Sequence, residues 1–165
     1  MFISYEWGSK SEVAQFHSKL EEKDKSLRVW RDSRLKSNNE SLYHQLGQQI
    51  RRSCVFLFML TRAYTKSDMC KRELVYAAKL GKAIFCFMLE KLTQDEIGDG
   101  FLMGNSVYKQ YYKDPKSKEP KKDVRHVNWF IDYFDEAYQL IKSNLNVKFI
   151  PFSNCFSLST QLKTT

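Results

Sequence analysis

No run of apolar residues in the chain approaches the ~20 that a bilayer-spanning helix needs, so membrane insertion is not expected. The four cysteines include no CxxC pair, and no histidine stands at metal-ligand spacing, which argues against zinc. A P-loop, a GxGxxG turn and a Ser/His/Asp or Cys/His set are all missing, which removes the familiar phosphate cradles and nucleophilic triads. His17, His44 and His126 fall on predicted helices or at their entry, with no adjacent nucleophile, and read as surface or packing residues. The opening MFISYEWGSKSE lacks the basic n-region and apolar h-region of a secretory signal, so cytoplasm is the default location. No internal repeat is visible.

What is present fits one globular domain. The chain has 165 residues, 42% of them hydrophobic and 15% aromatic, enough to close a single buried core. Cys54 and Cys86 sit inside apolar runs, Cys70 at a helix start and Cys155 near the end, and reduced, mostly buried thiols are expected. The formal charge is +8 and the pI about 9.3. Much of the excess lies in Lys113 to Arg125, where acids interrupt the bases and two prolines prevent a helix. Such a mixed-sign segment reads as a solvated loop rather than a coherent binding patch. No strand interleaves bases with aromatics, so a specific nucleic-acid partner is not expected.

Three apolar runs, FISY (2–5), CVFLFML (54–60) and AIFCFML (83–89), read as strands. The last two are continuous rather than alternating, as in strands of a parallel sheet covered on both faces. LRVW (27–30) reads as a shorter strand. Between them lie helical spacings: Val13, Phe16 and Leu20; Leu42, Leu46 and Ile50; Leu74, Ala77 and Ala78. The order β-α-β-α-β-α-β argues for α/β architecture with right-handed crossovers. A broad apolar stripe from Val127 to Leu145 predicts a last helix. Residues 147–165 keep no sustained period and read as a poorly ordered tail after a domain spanning 1–146. With a strand starting at residue 2, the chain reads as a clipped domain or an incomplete gene product.

Ligands of open parallel sheets bind beyond the carboxyl ends of the strands. That edge should collect Ser4, Tyr5, Glu6, Trp7 and Gly8 after the first strand and Asp32 after the second. Thr61 to Tyr64 follow the third, and then comes the helix carrying Glu73. On a helix of 3.6 residues per turn Glu73 shares a face with Met69, Cys70, Ala77 and Leu80. A lone carboxylate on an apolar stripe is costly without a partner, so a functional role competes with a structural one. The structural alternative has the helix macrodipole favour Glu73 near a helix start while Arg62 or Arg72 holds it in an ion pair. For Tyr5 and Trp7, core or edge packing is the plainer reading.

FISY, then VWRDS, then QQIRRSCVFLFMLTRAYTKSDMCKRELVYAAKLGKAIFCFML together resemble a TIR (Toll/interleukin-1 receptor) domain over about residues 2–145. Tyr64, Ser67, Cys70, Glu73 and Leu74 carry the most specific part of the likeness. The resemblance implies a flavodoxin-like α/β domain with a central parallel sheet in strand order 2-1-3-4-5, helices on both faces, and a further strand before the last helix. It also implies work through homotypic TIR–TIR assembly, with itself or an adaptor, in innate-immune or cell-death signalling. The loop Ser33 to Ser41 corresponds to the family's BB loop, a main assembly element. It lacks the proline or glycine often found there; SNNES supplies turn-prone residues instead.

Some TIR domains also cleave NAD+ between nicotinamide and ribose with a glutamate at the position of Glu73. In the alternative reading this chain is such a glycohydrolase, with Glu73 the catalytic carboxylate and Ser4, Tyr5, Trp7, Asp32, Tyr64 and Met69 the candidates for holding NAD+. NAD+ would then be a substrate, and no bound cofactor or metal is expected. Met69 stands where the NAD-cleaving members often have tryptophan, and Trp7 is the aromatic surface that could replace it.

Overall fold

A computed structural model describes residues 1–32, 42–98, 107–110 and 133–145, with 107–110 known by backbone alone. The segments Ser33 to Ser41, Lys113 to Arg125 and 147–165, singled out above, lie outside the described residues.

Among the described residues four parallel strands form one sheet in the order β1 (Phe2–Ser4), β2 (Val55–Leu60), β3 (Ala83–Met88), β4 (Val107–Gln110). All six residues of β2 are buried, which is why its sequence runs apolar without alternation. β4 supplies a strand where the sequence pattern had loosened. Along the free edge of β1 the expected strand 27–30 is reduced to one parallel bridge between Trp30 and Phe2. Trp30 donates its N–H to the Met1 carbonyl and accepts from the N–H of Ile3, both at 2.9 Å. With β1 only three residues long, there is little edge for a longer ladder.

Helices alternate with the strands: α1 (Lys10–Lys23), α2 (Leu42–Arg52), α3 (Arg62–Lys66), α4 (Asp68–Lys79) and α5 (Gln94–Ile97). The spacing of Val13, Phe16 and Leu20 in α1 is the spacing of its buried stripe. Phe56, Phe58 and Leu60 of β2 pack with Leu46 and Ile50 of α2 and with Leu74 and Ala77 of α4 in one core cluster. Cys86 and Met88 of β3 join that cluster, while Phe87 between them meets Phe16 of α1, with ring centroids 6.1 Å apart. Because side chains alternate across a strand, α1 covers the face opposite α2 and α4. The result is a small parallel sheet with flanking helices.

Two caps and one glycine set the chain's course near the sheet edge. Thr61 caps α3 by accepting from the Tyr64 N–H, and Ser67 caps α4 by accepting from the Cys70 N–H. Gly81, at φ +64°, ends α4. The N–H of Gly81 reaches the Ala78 carbonyl and that of Lys82 the Ala77 carbonyl, a Schellman closure that turns the chain into β3.

One expectation changes here. Cys54 is exposed rather than buried, since β2 starts one residue later and Cys54 occupies the turn after α2; Cys70 and Cys86 are buried as expected. The last helix, α6, is described from Phe134 to Leu145, and residues 127–132 lie outside the described residues. The chain divides into two compact units, Met1–Phe134 and Asp135–Thr165; the second contributes most of α6, with Ala137 and Ile141 buried. Every residue of the candidate site belongs to the first.

Candidate functional site

The carboxyl end of β1, the short helix α3 that follows β2, and the first turns of α2 and α4 line a cavity of about 400 Å³. Ser4, Tyr5, Trp7, Asp32, Met69 and Glu73 all line it. Tyr64, the remaining candidate, stands behind the cavity wall, fully buried.

Glu73 is the chemical centre. It lies on the face of α4 that presents buried Cys70 and Ala77 to the core, but its carboxylate turns to the cavity, half-buried. Ser4 Oγ donates to Glu73 Oε2 at 2.6 Å. Ser4 Oγ, its proton given to Glu73, also lies 3.0 Å from the Tyr64 hydroxyl, whose single proton is shared between Ser4 Oγ and the Cys70 carbonyl at 3.2 Å. A chain of hydroxyls therefore ties the end of β1, the short helix α3 and the first turn of α4 to one carboxylate.

Burial pushes the Glu73 pKa up from 4.5 to about 7; the Ser4 hydrogen bond opposes the shift and the nearby Asp32 charge adds to it. Neither structural partner foreseen for Glu73 is in place. Arg62 is engaged elsewhere, with its Nε 2.5 Å from Glu96 and its Nη1 3.9 Å from Glu90. Arg72 forms no ion pair with Glu73 among the described residues. Nor does Glu73 belong to the first turn of α4, where a macrodipole would favour it.

The neighbouring side chains have distinct roles. Tyr5 is buried, and its hydroxyl donates to Asp32; burial first, then that carboxylate, raise the Tyr5 pKa. Asp32 is thereby held at the cavity rim as an acceptor. Trp7 is 67% exposed, which rules out core packing, and Lys10 Nζ lies 4.6 Å from its ring centroid. The indole forms an open aromatic surface at the cavity mouth with one cation stacked on it. Met69 is half-buried between cavity and core. The Cys70 thiol bonds the Tyr5 carbonyl at 3.6 Å, and burial lifts its pKa to about 11, so it is a packed thiol and not a nucleophile. Among the described residues, no three His, Cys, Asp or Glu side chains group as a metal site would require.

The Ser4–Glu73 bond and the Tyr64 relay were not readable from the sequence, although each residue was a candidate separately. Sequence reasoning also overlooked Leu46 and Lys66, which line the cavity from α2 and α3. Only the strand-end rule could have grouped these segments.

The TIR domain model matches residues 1–138, and the chain belongs to that family. Among solved structures it is similar to the TIR domains of the activated Roq1 resistosome directly recognizing the pathogen effector XopQ. That match has 14% identity, covers 87% of this chain and 75% of the other, and has a TM-score of 0.48. No curated protein matches the chain.

Proposed function

We propose that the chain is a signalling module that works through homotypic TIR–TIR assembly in innate-immune or cell-death signal transduction. Membership of the TIR family over residues 1–138 carries this reading. The assembly element is the loop Ser33 to Ser41, and the place of action is the cytoplasm. Among the described residues no helix is long and apolar enough to cross a membrane, which is compatible with that placement. The full strand order 2-1-3-4-5 belongs to the same proposal, and the Trp30–Phe2 bridge supports it by occupying the outer position beside β1. The module is tested by self-association: substitutions within Ser33 to Ser41 should shift the protein from oligomer to monomer in sedimentation. Unchanged oligomerisation would remove that loop as the interface.

One observation favours a second, enzymatic role for the same module. A half-buried carboxylate, held by Ser4 and free of any described cation, faces a cavity with an aromatic mouth. In this reading NAD+ binds with its nicotinamide ribose at Glu73. The glycosidic bond between ribose C1′ and the nicotinamide nitrogen breaks, and nicotinamide leaves with the bonding electron pair as a neutral base. The ribosyl group left behind has oxocarbenium character, which the Glu73 carboxylate stabilises. Water adds at C1′ and loses a proton, and a carboxylate whose pKa is near 7 is matched to accept it. Asp32 and the hydroxyl chain behind Glu73 orient the groups, while Trp7 offers a stacking surface. Nicotinamide release from NAD+ by concentrated or clustered protein, abolished by Glu73→Ala, is the expected result. No release from clustered wild-type protein would sink the enzymatic role and leave the signalling module standing.

A further inference from the structure

His17 is buried on α1, 4% exposed, and takes no part in the chemistry at Glu73. The sequence offers it no adjacent nucleophile; its neighbour in space is a guanidinium. Arg31 Nε donates to His17 Nδ1 at 3.0 Å. Across the ring, His17 Nε2 lies 3.1 Å from Glu21 Oε1, on a side chain that is about half exposed. The Arg31 guanidinium also acts on the Tyr5 hydroxyl, as hydrogen-bond donor and as a charge, against the burial that raises the Tyr5 pKa. That hydroxyl is the group that donates to Asp32 at the cavity rim.

Asp32 follows Arg31 directly in the chain. Even so, among the described residues Arg31 forms no ion pair with Asp32 or with any other carboxylate. Guanidinium and carboxylate make the stronger, two-pronged match. Here a half-buried cation turns instead to two neutral rings, an imidazole and a phenol, and leaves the adjacent carboxylate to the phenol. An arginine that only solvated the surface would project into water, and a histidine that only filled space would need no donor aimed at its nitrogen.

The polarity of the chain follows from the groups themselves. A guanidinium is always charged and only donates. His17 Nδ1 therefore carries no proton and turns its lone pair to Arg31. The Tyr5 oxygen turns its lone pairs to the same cation, so its single proton is left to point at Asp32. We propose that Arg31, anchored on His17, is a positioning residue of the cavity: it fixes the direction of the Tyr5 hydroxyl and through it holds Asp32 toward a bound substrate. The consequence for catalysis rests on the glycohydrolase reading above; the positioning itself does not.

The experiment follows the Tyr5 hydroxyl proton by NMR in the full chain with isotope-labelled tyrosine, assigned by its absence in Tyr5→Phe. Slow exchange with solvent marks a hydroxyl held in one direction, and wild type should show it. Arg31→Met keeps the packing of the stem and removes the fork; exchange should speed up by roughly tenfold or more, the loss of about one charge-assisted hydrogen bond. His17→Phe leaves Arg31 in place without its acceptor and should have the same effect. His17→Gln, whose side-chain carbonyl can accept from Arg31 Nε, should restore exchange to within about threefold of wild type. Slow exchange that survives both Arg31→Met and His17→Phe overturns the proposal, and so does equal loss in His17→Gln and His17→Phe.

Nicotinamide release reads the consequence for catalysis. In Arg31→Met kcat for NAD+ should fall about tenfold to a hundredfold, as for a misplaced group, with KM within about twofold. In an Asp32→Ala background the same substitution should cost nothing further, because Arg31 acts through Asp32. A full further loss there overturns the positioning role. Slow exchange that depends on Arg31 and His17 in a protein unable to release nicotinamide sinks the glycohydrolase and leaves the positioning role standing.

Discussion

Ser4 Oγ and Glu73 Oε2 meet at 2.6 Å, across 69 residues of chain. The bond holds the carboxylate toward the cavity and stabilises its ionised form, because a hydroxyl donates to the charged state. Removing it with Ser4→Ala should raise the Glu73 pKa above its value of about 7. Carboxyl chemical shifts followed against pH would read this directly. In a nicotinamide-release assay the acid limb of the pH profile should move to higher pH, with little change on the alkaline side. An unshifted titration would mean that Ser4 does not tune the carboxylate.

The same burial makes Glu73 a stability liability above acid pH. Its folded pKa, about 7, exceeds the ordinary 4.5, so below the lower value both states are protonated and nothing is lost. Between the two values the unfolded chain releases the proton and the folded one keeps it, so stability falls as pH rises; above the folded pKa the penalty is constant. Glu73→Gln keeps an oxygen for Ser4 and removes the charge. Relative to wild type it should gain roughly 3 kcal/mol between about pH 4 and about pH 8, read from denaturant midpoints. A pH-independent difference would contradict the raised pKa.

Much of this arrangement was legible because two signals are local. Continuous apolar runs place β2 and β3, since a strand covered on both faces has no polar alternation to show. Helical spacing places Glu73 on the face of Cys70 and Ala77. The strand-end rule then brings Ser4, Asp32 and Glu73 to one edge. What escaped is set by tertiary packing. The Tyr64 relay depends on the angle at which α3 leaves β2, and the Arg31–His17 bond exists only because the chain after α1 returns beside β1. No period within a helix records either. Cys54 escaped for a smaller reason: it adjoins an apolar run, yet the helix before it ends too late for it to enter the strand.

Tyr64 tests whether the hydroxyl chain is structural as well as functional. Its ring is fully buried, and its hydroxyl serves both Ser4 and the Cys70 carbonyl. Tyr64→Phe keeps the ring and removes one hydrogen-bond contact from each partner in a dry site, while Ser4 keeps Glu73 and the Cys70 carbonyl stays within α4. The expected loss is about 0.5–1.5 kcal/mol of stability, the usual net worth of a hydrogen bond whose partners keep other bonds. Because Ser4 keeps its bond to Glu73, the Glu73 titration should move less in this variant than in Ser4→Ala. Equal shifts would show that Tyr64, rather than Ser4, controls the carboxylate.

Met69 carries the sharpest prediction about activity. It lines the cavity beside Glu73, and a thioether packs against a ring without offering a planar platform. Met69→Trp restores the aromatic residue that the NAD-cleaving resemblance leads one to expect. The residue is half-buried and borders open volume, so the indole can extend into the cavity rather than into the core. Stacking on a nicotinamide ring adds about 0.5–1.5 kcal/mol beyond area burial, which corresponds to a KM for NAD+ lower by roughly 2- to 10-fold. The melting temperature should stay within a few degrees of wild type. A higher KM together with a lower melting temperature would mean that the space at Met69 is already filled in the working protein. Glu73 would then meet its substrate without an aromatic partner on α4, leaving Trp7 as the stacking surface.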